Sequence, residues 1–126
     1  MAHLPGTADE IRARVPAALE SWEFVRDRVL LGGIVDPEVK QLCFRFVAGD
    51  DDVMDFSRFE ERERVALEWA RAIVWDSSLA DDALWERLHA HFSEEELVEL
   101  GCSIGFALGQ QHWERTVGLA PQAGIS

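Results

Sequence analysis

The chain has little positive charge: its 126 residues include 12 lysines and arginines against 24 aspartates and glutamates, a formal net charge of −12. Binding to a nucleic-acid backbone requires clustered basic side chains, and attraction to an anionic membrane surface requires the same. We therefore expect no nucleic-acid partner and no membrane partner. The acidity favours solubility and does not indicate a reaction.

Cysteine is also scarce, and tyrosine is absent. Cys43 and Cys102 form no CxxC motif and have no zinc-ligand spacing with the histidines. Each lies in an apolar helical pattern, so we expect two reduced, buried thiols. No segment is apolar for long enough to span a bilayer, and the N-terminus lacks the regions of a signal peptide. We expect a cytoplasmic protein without a metal or a cofactor.

Helical periodicity dominates the sequence, since strict alternation of apolar and polar residues never persists. It predicts an all-α fold, a single compact domain of about five or six helices over residues 1–126, with loose termini at 1–6 and 119–126. Capping residues, prolines and glycines set the helix boundaries. The predicted helices start near Thr7, run from Pro16 to about Leu31, from Asp36 to Gly49, from a Ser57–Glu60 capping box to about Trp75, from roughly Ala80 to His91, and from a Ser93–Glu96 capping box to about Val117.

Three glycines recur every four residues in the last predicted helix, at Gly101, Gly105 and Gly109. Each costs about 1 kcal/mol of helix propensity relative to alanine, so three in register need a reason. Either another helix packs closely against this face, or the face leaves space for a ligand. We expect this helix to be central under both interpretations.

A polar cluster follows the glycines near the end of the same helix. His112 lies three residues from both Gly109 and Arg115, so these positions are neighbours on the helix surface, and Gln111 adjoins them. An imidazole there can act as a general acid or base, although a hydrogen-bonded boundary histidine is the commoner case.

Glu68 is a second candidate for proton transfer, because it lies beside Trp69 on a helix with a wide apolar face. Burial raises the pKa of a carboxyl group and favours that role. Glu86 and His89 form an E-x-x-H pair, but no second pair completes a di-iron site, and we expect both to face water. The acidic run 50–52 lacks the pattern of an EF-hand loop and is interpreted as a solvated turn.

Three stretches of the chain carry a family resemblance: GGIVDPEVKQL at residues 32–42, FEERERVALEWA at 59–70 and HFSEEELVEL at 91–100. In this order and spacing they resemble the carboxymuconolactone decarboxylase and alkylhydroperoxidase-D-like superfamily. The resemblance implies an AhpD/CMD-like helical bundle that assembles into a homo-oligomer, a dimer, trimer or hexamer.

Members of this superfamily reduce peroxides through a CxxC pair served by a nearby His and Glu, or decarboxylate a lactone acid by acid/base chemistry. In this chain Phe46 stands where a second cysteine would follow Cys43, and Val47 stands where the histidine would be. No catalytic residue is therefore transferred one by one from the family, and we expect the redox chemistry to be lost.

We expect a cofactor-independent acid/base enzyme of lyase, decarboxylase or isomerase type, acting on a small organic acid, lactone or ketone. One alternative is a non-catalytic, homo-oligomeric binding or scaffold protein of the same fold. Another is a residual thiol peroxidase using Cys43, which an apolar environment disfavours because it raises the thiol pKa. The candidate catalytic residues are His112, Glu68 and Cys43, and the candidate substrate-binding residues are Gln111, Arg115, Trp69, Gly105 and Gly109.

Overall fold

A computed structural model describes residues 3–119, and over that range the chain is helical, with no β-strand. This confirms the all-α prediction. Residues 1, 2 and 120–126, which belong to the termini predicted to be loose, lie outside the described residues. The helices are α1 (Ala8–Arg12), α2 (Pro16–Val25), α3 (Pro37–Val47), α4 (Glu61–Trp75), α5 (Asp82–His91) and α6 (Glu94–Val117).

Two predicted helix starts and one predicted end are confirmed by their capping contacts. The Thr7 hydroxyl accepts the N–H of Glu10 at 3.2 Å, at the start of α1. Ser93 and Glu96 form the full capping box of α6, because each side chain accepts the backbone N–H of the other. Gly118 ends α6 in the left-handed conformation, with φ of 98°.

The predicted capping box at Ser57 is wrong. Ser57 lies in a separate 3₁₀ turn, Phe56–Arg58, and α4 begins only at Glu61. The reason is that the Asp55 carboxylate accepts both the N–H and the hydroxyl of Ser57, at 3.1 and 2.6 Å. The serine side chain is thereby turned towards the preceding turn and does not cap α4.

The apolar core lies between α3, α4 and α6, and α5 covers one side of it. The helix α2 continues into a π-helical turn, Arg26–Leu30, in which the N–H of Leu31 bonds to the Arg26 carbonyl at 2.8 Å. This turn brings Leu30 onto Phe44 and Ala107 in a second, smaller cluster. Within residues 3–119, no helix is both long and apolar enough to cross a bilayer.

A buried ion pair joins α3 to α6. Lys40 is 1% exposed, and its ammonium lies 2.8 Å from the Glu99 carboxylate. The same ammonium donates to the carbonyl oxygens of Val29, at 2.7 Å, and Gly32, at 2.6 Å. All three N–H donors of the lysine therefore have acceptors, which a buried charge requires.

Glu99 completes this network from the other side. Its carboxylate accepts the backbone N–H groups of Ile34, at 3.0 Å, and Val35, at 2.8 Å. Gly33 has a φ of 90°, and a Cβ added there would overlap the Glu99 carboxylate, so glycine is required twice over. The segment between α2 and α3 is thus fastened to the N-terminal part of α6.

The network makes stability depend on pH. Partial burial alone would raise the pKa of Glu99, but the bonds from Lys40 and from the Val35 and Ile34 N–H groups outweigh it, so this pKa lies below its ordinary value of 4.5. A carboxylate with a depressed native pKa stabilises the fold above its unfolded pKa, and the contribution is lost as the pH falls through the native pKa.

We therefore expect Glu99→Gln to be less stable than the wild type above pH 4.5, by about 2 kcal/mol, with the difference shrinking as the pH falls well below 4.5. Urea denaturation at a series of pH values measures this. Glu38→Gln, at an exposed position of α3, is the control and should differ little from the wild type at any pH. A difference for Glu99→Gln that is independent of pH would contradict the expectation.

Candidate functional site

A concave surface lies between α4, α5 and α6, and we call it the tryptophan groove. It is open to solvent, has a volume of about 550 Å³ and is lined almost entirely by apolar surface. Clefts of this size and character are typical of small-molecule sites. Its lining residues are Trp69, Trp85, His89, Glu94, Leu97, Val98, Gly101 and Cys102.

Two indole rings form the wall of the groove. Trp69 is on the buried side of α4, and Trp85 of α5 meets it edge to face, with ring centroids 5.3 Å apart. Gly101 of α6 lets the Trp69 ring come close, since an added Cβ would lie 2.8 Å from Cη2 of that ring. Trp69, predicted to bind substrate, therefore lies in the groove together with Gly101, one of the three regularly spaced glycines of α6.

The polar groups of the groove are few. The His89 ring lies 5.9 Å from the Trp85 ring, and Glu94 and Cys102 add a carboxylate and a thiol. Glu86 and His89 are both exposed, as predicted, and residues 3–119 contain no group of three His, Cys, Asp or Glu side chains placed to hold a metal. His89 is not among the predicted site residues, although its i, i+4 spacing from Trp85 indicates that the two side chains share a face of α5.

The three glycines of α6 do not share one role. Gly101 permits close packing, whereas at Gly105 and Gly109 no atom of residues 3–119, apart from the adjacent residues and backbone of α6 itself, lies within 4 Å of an added Cβ. These two belong to an exposed face of α6, which we call the outer stripe. Its members are Val98, Cys102, Gly105, Phe106 and Gly109.

A second cleft, of about 340 Å³, adjoins the outer stripe. It includes Val98, Cys102 and Phe106 of the stripe, together with Ile34, and it shares Val98 and Cys102 with the tryptophan groove. Val98 is 66% exposed, Ile34 59% and Phe106 43%, so the two clefts form one continuous apolar surface.

The polar side chains predicted to cluster at the end of α6 do not come together at one site. Gln111 is buried, and its amide donates to the Phe44 carbonyl at 3.3 Å, while its side-chain oxygen has no partner among residues 3–119. Arg115 donates to the Val47 carbonyl at 3.2 Å. Both therefore attach α6 to α3. His112 is exposed and lines none of the clefts described here.

Glu68 faces α5 and is paired. Its carboxylate accepts two hydrogen bonds from Arg87, at 3.0 and 2.7 Å, and Arg87 also bonds to Glu61 at 2.8 Å. The hydrogen bonds that Arg87 donates to Glu68 raise the pKa of Arg87 most, and the bond to Glu61 raises it further. Glu68 and Arg87 line a separate cleft of about 280 Å³ that does not include His112. The structure thus places the candidate catalytic residues Glu68 and His112 in different parts of the molecule.

The two cysteines differ in environment. Cys43 is fully buried, as predicted, and burial raises the pKa of its thiol to about 12. The prediction that Cys102 is buried is wrong: it is exposed, because its position on α6 falls on the outer stripe and not on the side facing α3 and α4. Because burial raises the pKa of Cys43, a thiolate is strongly disfavoured at that residue at neutral pH.

The contrast between the glycines yields a paired test. We expect Gly101→Ala to destabilise the fold by about 1 kcal/mol, because overpacking against Trp69 outweighs the gain in helix propensity. Gly105→Ala should stabilise it by about 0.5 to 1 kcal/mol, since within the described part of the chain no side chain and no other helix lies within 4 Å of the added Cβ. Urea denaturation of both variants measures the two free energies of unfolding. Stabilisation by Gly101→Ala as well would show that the ring contact is unimportant, and destabilisation by Gly105→Ala would contradict the open space at that position.

Comparison with known proteins found a partial relative. The chain is 47% identical to the uncharacterized protein YnjA of Escherichia coli (strain K12) over 47 residues, which are 37% of this chain. The match spans about a quarter of that protein's length, 26%. No family model and no solved structure matches the chain.

Proposed function

We propose that this protein binds a small, uncharged, largely apolar molecule, such as a lactone or a ketone, in the tryptophan groove. The observation that carries the proposal is the groove itself, with apolar walls built by Trp69 and Trp85 and few polar groups. Such walls gain affinity by removing apolar ligand surface from water, and the few polar groups orient the ligand.

The charge of the site favours an uncharged ligand over an organic acid. Glu94 lies in the lining, and the whole chain carries a net charge of −12. A ligand carboxylate would be repelled by this field and would lose its hydration in an apolar groove without a cationic partner in the lining. A lactone or ketone carries no such penalty.

We further propose that the bound molecule undergoes acid/base chemistry without a cofactor, of lyase or isomerase type, since a decarboxylase would require the carboxylate substrate that the groove disfavours. His89 supports this assignment better than His112 does, because its imidazole borders the groove and an imidazole can act as a general acid or base. The arrangement also suits a divergent carboxymuconolactone decarboxylase-like protein of AhpD-like fold that lacks the CxxC motif. The buried thiol of Cys43 weighs against the thiol-peroxidase alternative.

Ligand binding tests the proposal directly. A panel of lactones, cyclic ketones and matched carboxylic acids is titrated against the wild type and followed by tryptophan fluorescence and by NMR. We expect saturable binding of uncharged members, weakened at least about tenfold in Trp85→Ala. Trp75→Ala is the matched control, since Trp75 is 64% exposed, lies outside the groove lining and should leave Kd unchanged.

The reaction is tested with the ligands that bind. His89→Ala should abolish turnover while retaining binding, and His112→Ala should leave both unchanged. Full activity in His89→Ala would overturn the acid/base assignment, and loss of activity in His112→Ala would restore the original candidate. Absence of binding across the panel would remove the ligand proposal itself.

A second candidate function, a homo-oligomeric binding or scaffold protein, is supported by the outer stripe. Its apolar side chains are exposed, and Gly105 and Gly109 leave room for the close approach of another helix. A second copy of the chain would cover this surface in a dimer, trimer or hexamer.

Light scattering coupled to gel filtration tests this candidate. We expect the wild type to be larger than a monomer and Phe106→Asp to be monomeric, because a charge would be buried in the interface. Leu79→Asp is a matched control, since Leu79 is 44% exposed against 43% for Phe106 and lies away from α6. A monomeric wild type would exclude the oligomer, and an oligomeric Phe106→Asp would place the interface elsewhere.

A further inference from the structure

The short helix α1 contributes one buried cation to the rest of the molecule. Arg12 is 6% exposed, and its guanidinium lies between two indole rings, 4.5 Å from the centroid of Trp22 and 5.0 Å from that of Trp113. A guanidinium is flat and stacks on aromatic faces, and it is held there by attraction to the ring quadrupoles.

Polar acceptors surround the same guanidinium. The Gln110 side-chain oxygen accepts from Nε at 3.2 Å and from Nη2 at 2.9 Å, and the Glu114 carboxylate accepts from Nη2 at 3.1 Å. Asp9 accepts from Nη1 at 3.0 Å. Glu114 is itself buried, so the cation and its counter-charge are both largely removed from water.

Most of this site does not belong to α1. Trp22 lies on α2, and Gln110, Trp113 and Glu114 lie on α6, whereas Asp9 is the one acceptor that moves with Arg12. The helix α1 has five residues, and its buried residues are Ile11 and Arg12. Its attachment to the molecule therefore depends on the apolar contact of Ile11 and on the polar contacts of the arginine.

The site is also close to solvent. A cleft of about 210 Å³ lies directly beside it, lined by Arg12, Ala18, Gln110 and Trp113. The residues 13–15 that join α1 to α2 are exposed. We call the surroundings of the guanidinium, formed by Trp22, Gln110, Trp113 and Glu114, the arginine cage. Release of Arg12 would therefore open the arginine cage without disturbing the core between α3, α4 and α6.

We propose that Trp22, Trp113, Gln110 and Glu114 form an arginine-binding site that Arg12 occupies in cis, and that an arginine side chain of another polypeptide takes this site when α1 undocks. Two indole faces with a carboxylate and an amide oxygen at the edge match a guanidinium better than an ammonium, which has no flat face to stack. The negative charge of the chain favours approach of an arginine-bearing segment.

In the native chain Arg12 competes with any external arginine. A tethered group acts at an effective concentration in the millimolar range or above, so the external ligand binds only to the fraction of molecules with α1 undocked. Removal of the Arg12 side chain should therefore strengthen binding at least about tenfold.

The test uses N-acetyl-arginine amide as the probe and the full chain. Arg12→Ala and the wild type are titrated by calorimetry and tryptophan fluorescence, with N-acetyl-lysine amide as the control ligand. We expect saturable binding to Arg12→Ala, at least about tenfold weaker binding to the wild type, and at least about fivefold weaker binding of the lysine compound to the variant. Equal binding of both compounds, equal binding to both proteins, or no saturable binding to folded Arg12→Ala would each overturn the proposal.

A second measurement remains decisive if Arg12→Ala fails to fold. Hydrogen exchange of the wild type is followed as N-acetyl-arginine amide is added, and exchange of the Ile11 and Ala13 amides should accelerate because the ligand traps undocked α1. Amides of α4 report on general unfolding and should not change. Unchanged α1 exchange, or equal acceleration by the lysine compound, would overturn the proposal.

Discussion

The buried pair of Lys40 and Glu99 holds the architecture together. An unpaired lysine ammonium or glutamate carboxylate inside a protein is strongly unfavourable, and here each satisfies the other while bonding to backbone groups of the segment between α2 and α3. The pair therefore fixes the path of the chain across α6. The helix α6 lines the tryptophan groove and forms part of the arginine cage. Both sites therefore depend on the position in which this ion pair holds α6.

The helix α6 serves several purposes because its faces meet different surroundings. One face is buried against α3, where Gln111 and Arg115 bond to backbone carbonyls. Another forms the groove beside Trp69, and a third, the outer stripe, is exposed within the part of the chain that the structure describes. Its final turns hold the guanidinium of Arg12. A single long helix thereby places the proposed ligand site, the proposed interface and the arginine cage next to one another.

Much of the secondary structure was predictable from local chemistry. Thr7, Ser93 and Gly118 act through contacts with residues a few positions away, so their roles are legible in the sequence. The prediction for Ser57 is wrong because its hydroxyl donates a hydrogen bond to Asp55, two residues earlier. The burial of Lys40 was not predictable from local chemistry. A lysine beside an apolar stripe normally reaches solvent, and its ion-pair partner Glu99 is distant in sequence.

The helical class of the chain, the start and end of its longest helix and the burial of Cys43 all follow from local sequence patterns. What each helix face contacts follows from tertiary packing alone. It separated Gly101, packed on Trp69, from the open Gly105 and Gly109, and it exposed Cys102. It also turned Gln111 inward and left His112 in solvent. The physical reason is that helical spacing fixes which residues share a face, whereas burial and pairing depend on segments that are remote in the chain.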